Sequence, residues 1–117
     1  MIDFYCYPRC GTCRKAKKWL DQNEVEYNDI HIVEETPSKE ELATIIKKSE
    51  LPIKRFFNTS GKVYREMNLK DKLADMTDDE KVALLVSDGM LMKRPLAYDG
   101  EQVTLGFKEE EFEQTWK

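Results

Sequence analysis

Cys6, Cys10 and Cys13 are the only cysteines of the chain and fall within eight residues, spaced C-x3-C-x2-C and followed at once by Arg14-Lys15-Ala16-Lys17-Lys18. Three chemistries use such a cluster. Three thiolates at this spacing hold a four-iron cluster in radical enzymes dependent on S-adenosylmethionine. Zinc takes three cysteines and a histidine, here the only one, His31. Two thiols three residues apart at a helix start form a redox pair. The radical enzymes need a barrel far larger than 117 residues allow. His31 has no second ligand pair beside it, and a lone histidine is more often structural.

The thiol pair asks for less. A cysteine in the first turn of a helix faces unsatisfied backbone N–H groups and the positive end of the helix dipole, both of which favour thiolate. Cys10 has that place, with Arg9, Arg14 and Lys15 adding positive charge, and reads as the nucleophile. Cys13 lies nearly one turn on along the same face, where it can attack a mixed disulfide or sulfenic acid on Cys10. This chemistry requires no metal and no bound organic cofactor, only an external reductant. An inert C-x-x-C pair stays open beside it. Cys6 reads as a small hydrophobe packed in the sheet, with a third redox role as the minority alternative.

These residues need a strand, a turn and a helix to position them. Ile2, Phe4 and Cys6 alternate with Asp3, Tyr5 and Tyr7, a strand pattern that stops at Pro8. Gly11 to Gln22 is helix-forming, with Ala16, Trp19 and Leu20 as its apolar stripe. A second strand follows over Glu26 to Val33. Ser38 and Glu41 make a capping box for a helix carrying Leu42, Ile45 and Ile46, and Thr77 and Glu80 make another for a helix ending near Asp88-Gly89. Residues 51 to 73 read as short helices and loops. Arg94-Pro95-Leu96 opens a strand, Asp99-Gly100 is a hairpin turn, Gln102 to Leu105 pairs back, and a last helix starts near Lys108. Trp19, Trp116, Met90 and Met92 read as core. The order βαβ…ββα predicts an α/β fold: one domain over 1–117, with a mixed four-stranded sheet flanked by helices and a helical insertion from about 38 to 90.

Bulk properties narrow the classes. A net charge of −4 argues against binding nucleic acid directly through a broad basic surface, and no apolar run reaches the roughly 18 residues that span a bilayer. Glu109, Glu110, Glu111 and Glu113 read as a solvated helix face. The N-terminus lacks a secretory pattern, and clustered rather than dispersed cysteines fit a reducing compartment, so a cytoplasmic location is expected.

YPRCGTCRKAKKWL, PSKEEL, DGMLMKRPL and VTLGFKEEEFE together resemble the ArsC (arsenate reductase) family of bacterial proteins and its Spx-type relatives. The resemblance spans nearly the whole chain and implies a thioredoxin-like fold with a helical insertion. The family's H-N-P-x-C-G-T-S-R matches residues 6 to 14, which carries the nucleophile to Cys10 and replaces the family's histidine by Cys6 and its serine by Cys13. By the same resemblance Pro95 is a cis-proline beside the active-site turn. Arg94 matches one of three oxyanion-binding arginines, and the other two fall on Asn58 and Lys108. Arg94 and Lys108 are therefore expected substrate-binding cations, and Arg14 joins them by its place beside the cysteine pair. The reductant implied is thioredoxin, glutaredoxin or glutathione, the last disfavoured by the internal partner Cys13. The Spx relatives share C-x-x-C as a redox switch and bind the RNA polymerase α subunit; their contact glycine and arginine fall here on Pro52 and Ser60.

Overall fold

The alternation at the start of the chain builds the centre of the sheet. In the computed structural model, which describes residues 1–117, Ile2, Phe4 and Cys6 of β1 (Ile2–Cys6) turn to one face and Tyr5 to the other. The next elements are α1 (Gly11–Gln22), β2 (Tyr27–His31) and α2 (Lys39–Ser49). Two short helices, α3 (Lys62–Glu66) and α4 (Leu69–Lys72), lead to α5 (Asp78–Ser87). The chain closes with β3 (Leu96–Tyr98), β4 (Val103–Leu105) and α6 (Glu109–Trp116). The sheet order is β2-β1-β3-β4, with β1 parallel to β2 and the other pairs antiparallel, which is the expected thioredoxin-like mixed sheet. No helix is long and apolar enough to cross a membrane.

Each face of the sheet has its own core. Ile2, Phe4, Cys6 and Ala97 pack with Cys13, Ala16, Trp19 and Leu20 of α1 and Phe112 and Trp116 of α6. Trp19 meets Phe112 edge-on at 5.4 Å between ring centroids, and Trp116 Nε1 donates to Thr104 Oγ1 at 3.0 Å, so both tryptophans are structural. The opposite face receives Leu42, Ile45, Leu85, Phe56, Phe57, Leu91 and Met92 from the helical segment between β2 and β3. Met90 departs from the core expectation. It is half-buried, and its backbone carbonyl accepts from Arg94.

Local chemistry sets the element ends. Both capping boxes form: the Ser38 and Thr77 hydroxyls accept from the backbone N–H of Glu41 and Glu80 at 3.1 and 3.2 Å. The second strand is shorter than its apolar pattern suggests because His31 Nδ1 accepts the N–H groups of Val33 and Glu34, folding the chain away from the ladder. Gly89 closes the gap between the end of α5 and the sheet. A Cβ there would lie 2.3 Å from the Ile32 carbonyl oxygen and 2.8 Å from its carbon, backbone atoms that cannot swing aside. Gly89→Ala is therefore expected to destabilise the fold by about 3 kcal/mol, read as a lowered urea midpoint; an unchanged midpoint would contradict this packing.

Candidate active site

The turn from β1 into α1 holds the cysteines. Cys10 is the N-cap of α1: its backbone N–H donates to the Tyr7 carbonyl at 2.9 Å, and its carbonyl accepts from Arg14 at 3.2 Å. No side chain caps the helix and no acidic residue sits in its first turn, so the orphan N–H groups are left for whatever occupies the Cys10 position. Cys10 is half-buried, while Cys13 is 1% exposed beneath it. Cys13 Sγ accepts from the Tyr7 N–H at 3.4 Å. All three cysteines are free thiols.

The two members of the pair differ in acidity. Burial pushes the Cys10 thiol up, but hydrogen bonding with the Cys13 backbone N–H, the Cys13 thiol and Arg94, together with the Arg94 charge, brings it below the ordinary thiol value. Cys13 is pushed well up, first by its interaction with Cys6 and then by burial, with the negative charge of Cys10 adding to both. Cys10 is thus the more acidic thiol of the pair and Cys13 the less acidic. The pair can perform attack and resolution in that order.

Arg94 reaches the turn through strand register. Leu96 pairs antiparallel with Tyr5, so the residues before it lie at the carboxyl end of β1, and the Arg94–Pro95 peptide bond there is cis. Arg94 Nη1 donates to the carbonyls of Met90 and Met92 at 3.2 and 3.3 Å, and its guanidinium lies 5.8 Å from the Tyr7 ring centroid. Arg94 Nε is buried without a partner. A charged donor left in that state is costly unless an anion meets it.

Beside the turn opens a cleft of about 580 Å³. Thr12, Arg94 and Lys108 line it, as do Lys54 and Arg55 from the 3-10 turn Ile53–Phe56 and Lys93 beside Arg94. Its lining holds five cations and no carboxylate. Sequence reasoning misses Lys54, Arg55 and Lys93, although the dibasic steps Lys54-Arg55 and Lys93-Arg94 are visible there. Arg14 lies elsewhere. Its Nε donates to the Pro8 carbonyl at 3.1 Å, which ties the helix to the turn, and it does not line the cleft. Asn58 is also outside the lining; its N–H donates to the Leu91 carbonyl at 2.7 Å and its carbonyl accepts from Gly61. Pro52 borders the cleft, whereas Ser60 does not.

Cys6 does more than pack. It is 1% exposed, yet its Sγ lies 3.4 Å from Asp29 Oδ1, and Lys17 Nζ bonds the same carboxylate at 2.8 Å. His31 is occupied by the Val33 and Glu34 amides and by an edge contact with Tyr7, and no group of three His, Cys, Asp or Glu side chains is arranged to hold a metal ion.

The acidity of Cys10 is open to measurement. Since only the thiolate alkylates, a lowered pKa means that reactivity with iodoacetamide persists as pH falls past the point where an ordinary thiol has lost it. The alkylation midpoint of Cys10 is expected below that of a free cysteine and should move up in Arg94→Met. A midpoint at the ordinary value, or one unmoved by the substitution, would contradict the assigned role of Arg94.

Comparisons with known proteins agree with this geometry. The ArsC family model matches residues 5–115. The chain is 62% identical over 115 residues to the Bacillus subtilis protein YusI, covering 98% of each. It is 33% identical over 106 residues to the B. subtilis regulatory protein MgsR, covering 91% of this chain and 82% of that one. A solution structure of the Staphylococcus aureus protein SACOL0876 superposes with a TM-score of 0.92 at 52% identity, covering 99% and 98% of the two chains. With the family model spanning almost its entire length, the chain belongs to the ArsC family.

Proposed function

We propose that the protein is a thiol–disulfide oxidoreductase acting on an anionic oxidised substrate, with Cys10 as nucleophile and Cys13 as resolving cysteine. The observation that carries this reading is the placement of Cys10 at the start of α1, where, against the burial that raises it, Cys13 and Arg94 both lower its pKa and Arg94 keeps a buried Nε without a partner. The five-cation cleft supports a substrate bearing negative charge, whether an oxyanion such as arsenate or a disulfide carrying carboxylates.

For a disulfide the steps balance without a cofactor. Cys10 thiolate attacks one substrate sulfur, forming a mixed disulfide and expelling the other sulfur as thiolate. Cys10 then carries no charge, which removes one of the influences holding Cys13 protonated. Cys13 gives its proton to the expelled substrate thiolate and attacks Cys10 Sγ, releasing the second thiolate and leaving the Cys10–Cys13 disulfide. Two electrons have passed from the pair to the substrate. A thioredoxin-, glutaredoxin- or glutathione-type thiol in the cytoplasm returns them. Arg94 and Lys108 hold the anionic substrate, and Arg14 steadies the turn.

Incubation with glutathione disulfide tests the order of events. Cys13→Ser is expected to retain one glutathione per chain on Cys10 in intact mass spectrometry, and Cys10→Ser none. Accumulation of the adduct in Cys10→Ser, or its absence in Cys13→Ser, would reverse or remove the assigned roles.

A second reading is favoured by the kinship with MgsR and, at 27% identity over 95% of this chain, with the Bacillus anthracis global transcriptional regulator Spx 2. In it the same cysteine pair is a switch controlling contact with the RNA polymerase α subunit. Immobilised chain, reduced and oxidised, that recovers no α subunit in either state would eliminate this reading.

A further inference from the structure

Cys6 is a buried nucleophile that the two-cysteine reaction does not use. It stands at the end of β1 in the same packed cluster as Cys13, with Cys10 against that cluster from the solvent side. The chain thus orders three sulfurs by depth, with Cys10 half-buried and Cys13 and Cys6 each 1% exposed, and Cys13 interacts with both of the others. A core cysteine kept only for its volume needs no polar neighbours. Cys6 has one in Asp29, whose Oδ1 lies 3.4 Å from its sulfur and whose Oδ2 is held by Lys17 at 2.8 Å. Asp29 reaches it because Phe4 pairs with Asp29 in the parallel β1–β2 ladder, which puts Asp29 on the same sheet face as Phe4 and Cys6. The Asp29 side chain is 56% exposed, so a proton accepted from Cys6 has a route to solvent.

From this arrangement we propose that Cys6 is a third redox residue, which takes over the disulfide from Cys10 by attacking Cys13. In the exchange the Cys6 proton passes to Asp29, and the Cys6 thiolate attacks Cys13 Sγ of the Cys10–Cys13 disulfide. The Cys6–Cys13 bond forms, the Cys10–Cys13 bond breaks, and Cys10 leaves as a thiolate into the site that already favours it. The chain remains oxidised by two electrons throughout, so no further oxidant is needed. The oxidising equivalent is stored under α1 while the nucleophile is restored. In the reduced chain the Cys6 thiol lies below its ordinary value, chiefly through its hydrogen bond with the Cys13 thiol and with help from Lys17, against burial and the Asp29 charge.

The inference rests on the thiol–disulfide reading of the site, and one peptide map separates the two. Trypsin cuts after Arg9 and Arg14, so Cys6 falls in peptide 1–9 and the other two cysteines in peptide 10–14. The full-length reduced protein is treated with one equivalent of diamide, denatured in acid with N-ethylmaleimide to cap free thiols, and digested. Peptides 1–9 and 10–14 are expected joined by a disulfide, with maleimide on Cys10. Before denaturation, Cys10 of the oxidised protein should still react with iodoacetamide. In Cys6→Ser that reaction should fall by at least about tenfold, leaving only the disulfide internal to peptide 10–14. An internal disulfide alone in the wild type, with maleimide on Cys6, would overturn the relay and leave the two-cysteine reaction standing. A joined pair with maleimide on Cys13 would also overturn it. If none of the three cysteines forms a disulfide, the relay and the oxidoreductase reading fall together.

Discussion

The hydrogen bond from the Cys10 backbone N–H to the Tyr7 carbonyl fixes where the strand ends and the helix begins, and the site depends on that placement. It makes Cys10 the N-cap of α1, which brings its thiol to the Cys13 N–H of the first turn. The same turn sends the Tyr7 N–H to Cys13 and brings the Tyr7 ring under Arg94. One tyrosine therefore relates Cys10, Cys13 and Arg94. A shift of the helix start by one residue would turn the first thiol away from that N–H and move the second out of its pocket, since residues one apart on a helix face different directions.

Charge is distributed to match. The chain is acidic overall, yet the cleft that Thr12 of the turn borders gathers Lys54, Arg55, Lys93, Arg94 and Lys108 from three separated stretches. The glutamates following Lys108 lie along α6 outside the cleft, where Glu109, Glu110 and Glu111 also suit the positive end of that helix. Low dielectric around Arg94 strengthens its pull on a thiolate or substrate anion, while the outer lysines act through solvent and weaken with salt. In the proposed reaction the inner cation acts at the reacting sulfur and the outer ones raise the local concentration of anions.

Much of this architecture is legible in the amino-acid sequence. Alternation over Ile2 to Cys6, the good helix formers from Gly11 and the capping boxes at Ser38 and Thr77 are local signals, and each produces its element. C-x-x-C at the helix start and Arg94 before Pro95 mark the place where the site assembles. What escapes a reading along the chain is non-local. Lys54 and Arg55 join the cleft only because the segment after α2 folds back over the sheet, which no spacing along the chain encodes. The company of Cys6 escapes for a similar reason: Asp29 reaches it through strand register, and Lys17 across the helix–sheet interface. Arg14 shows the converse. Its nearness in sequence suggests an anion ligand, yet its side chain turns back to the Pro8 carbonyl in the turn that precedes α1.

Cys10 as the reacting thiolate is tested most directly by NADPH consumption coupled through thioredoxin and thioredoxin reductase, with arsenate and glutathione disulfide offered as substrates in parallel to wild type and Cys10→Ser. Wild-type protein is expected to turn over at least one substrate, with inhibition by added salt as the cationic cleft is screened, and Cys10→Ser to turn over neither. Turnover that survives in Cys10→Ser, or wild-type protein inert toward both substrates while its Cys10–Cys13 disulfide forms and is reduced normally, would contradict that role.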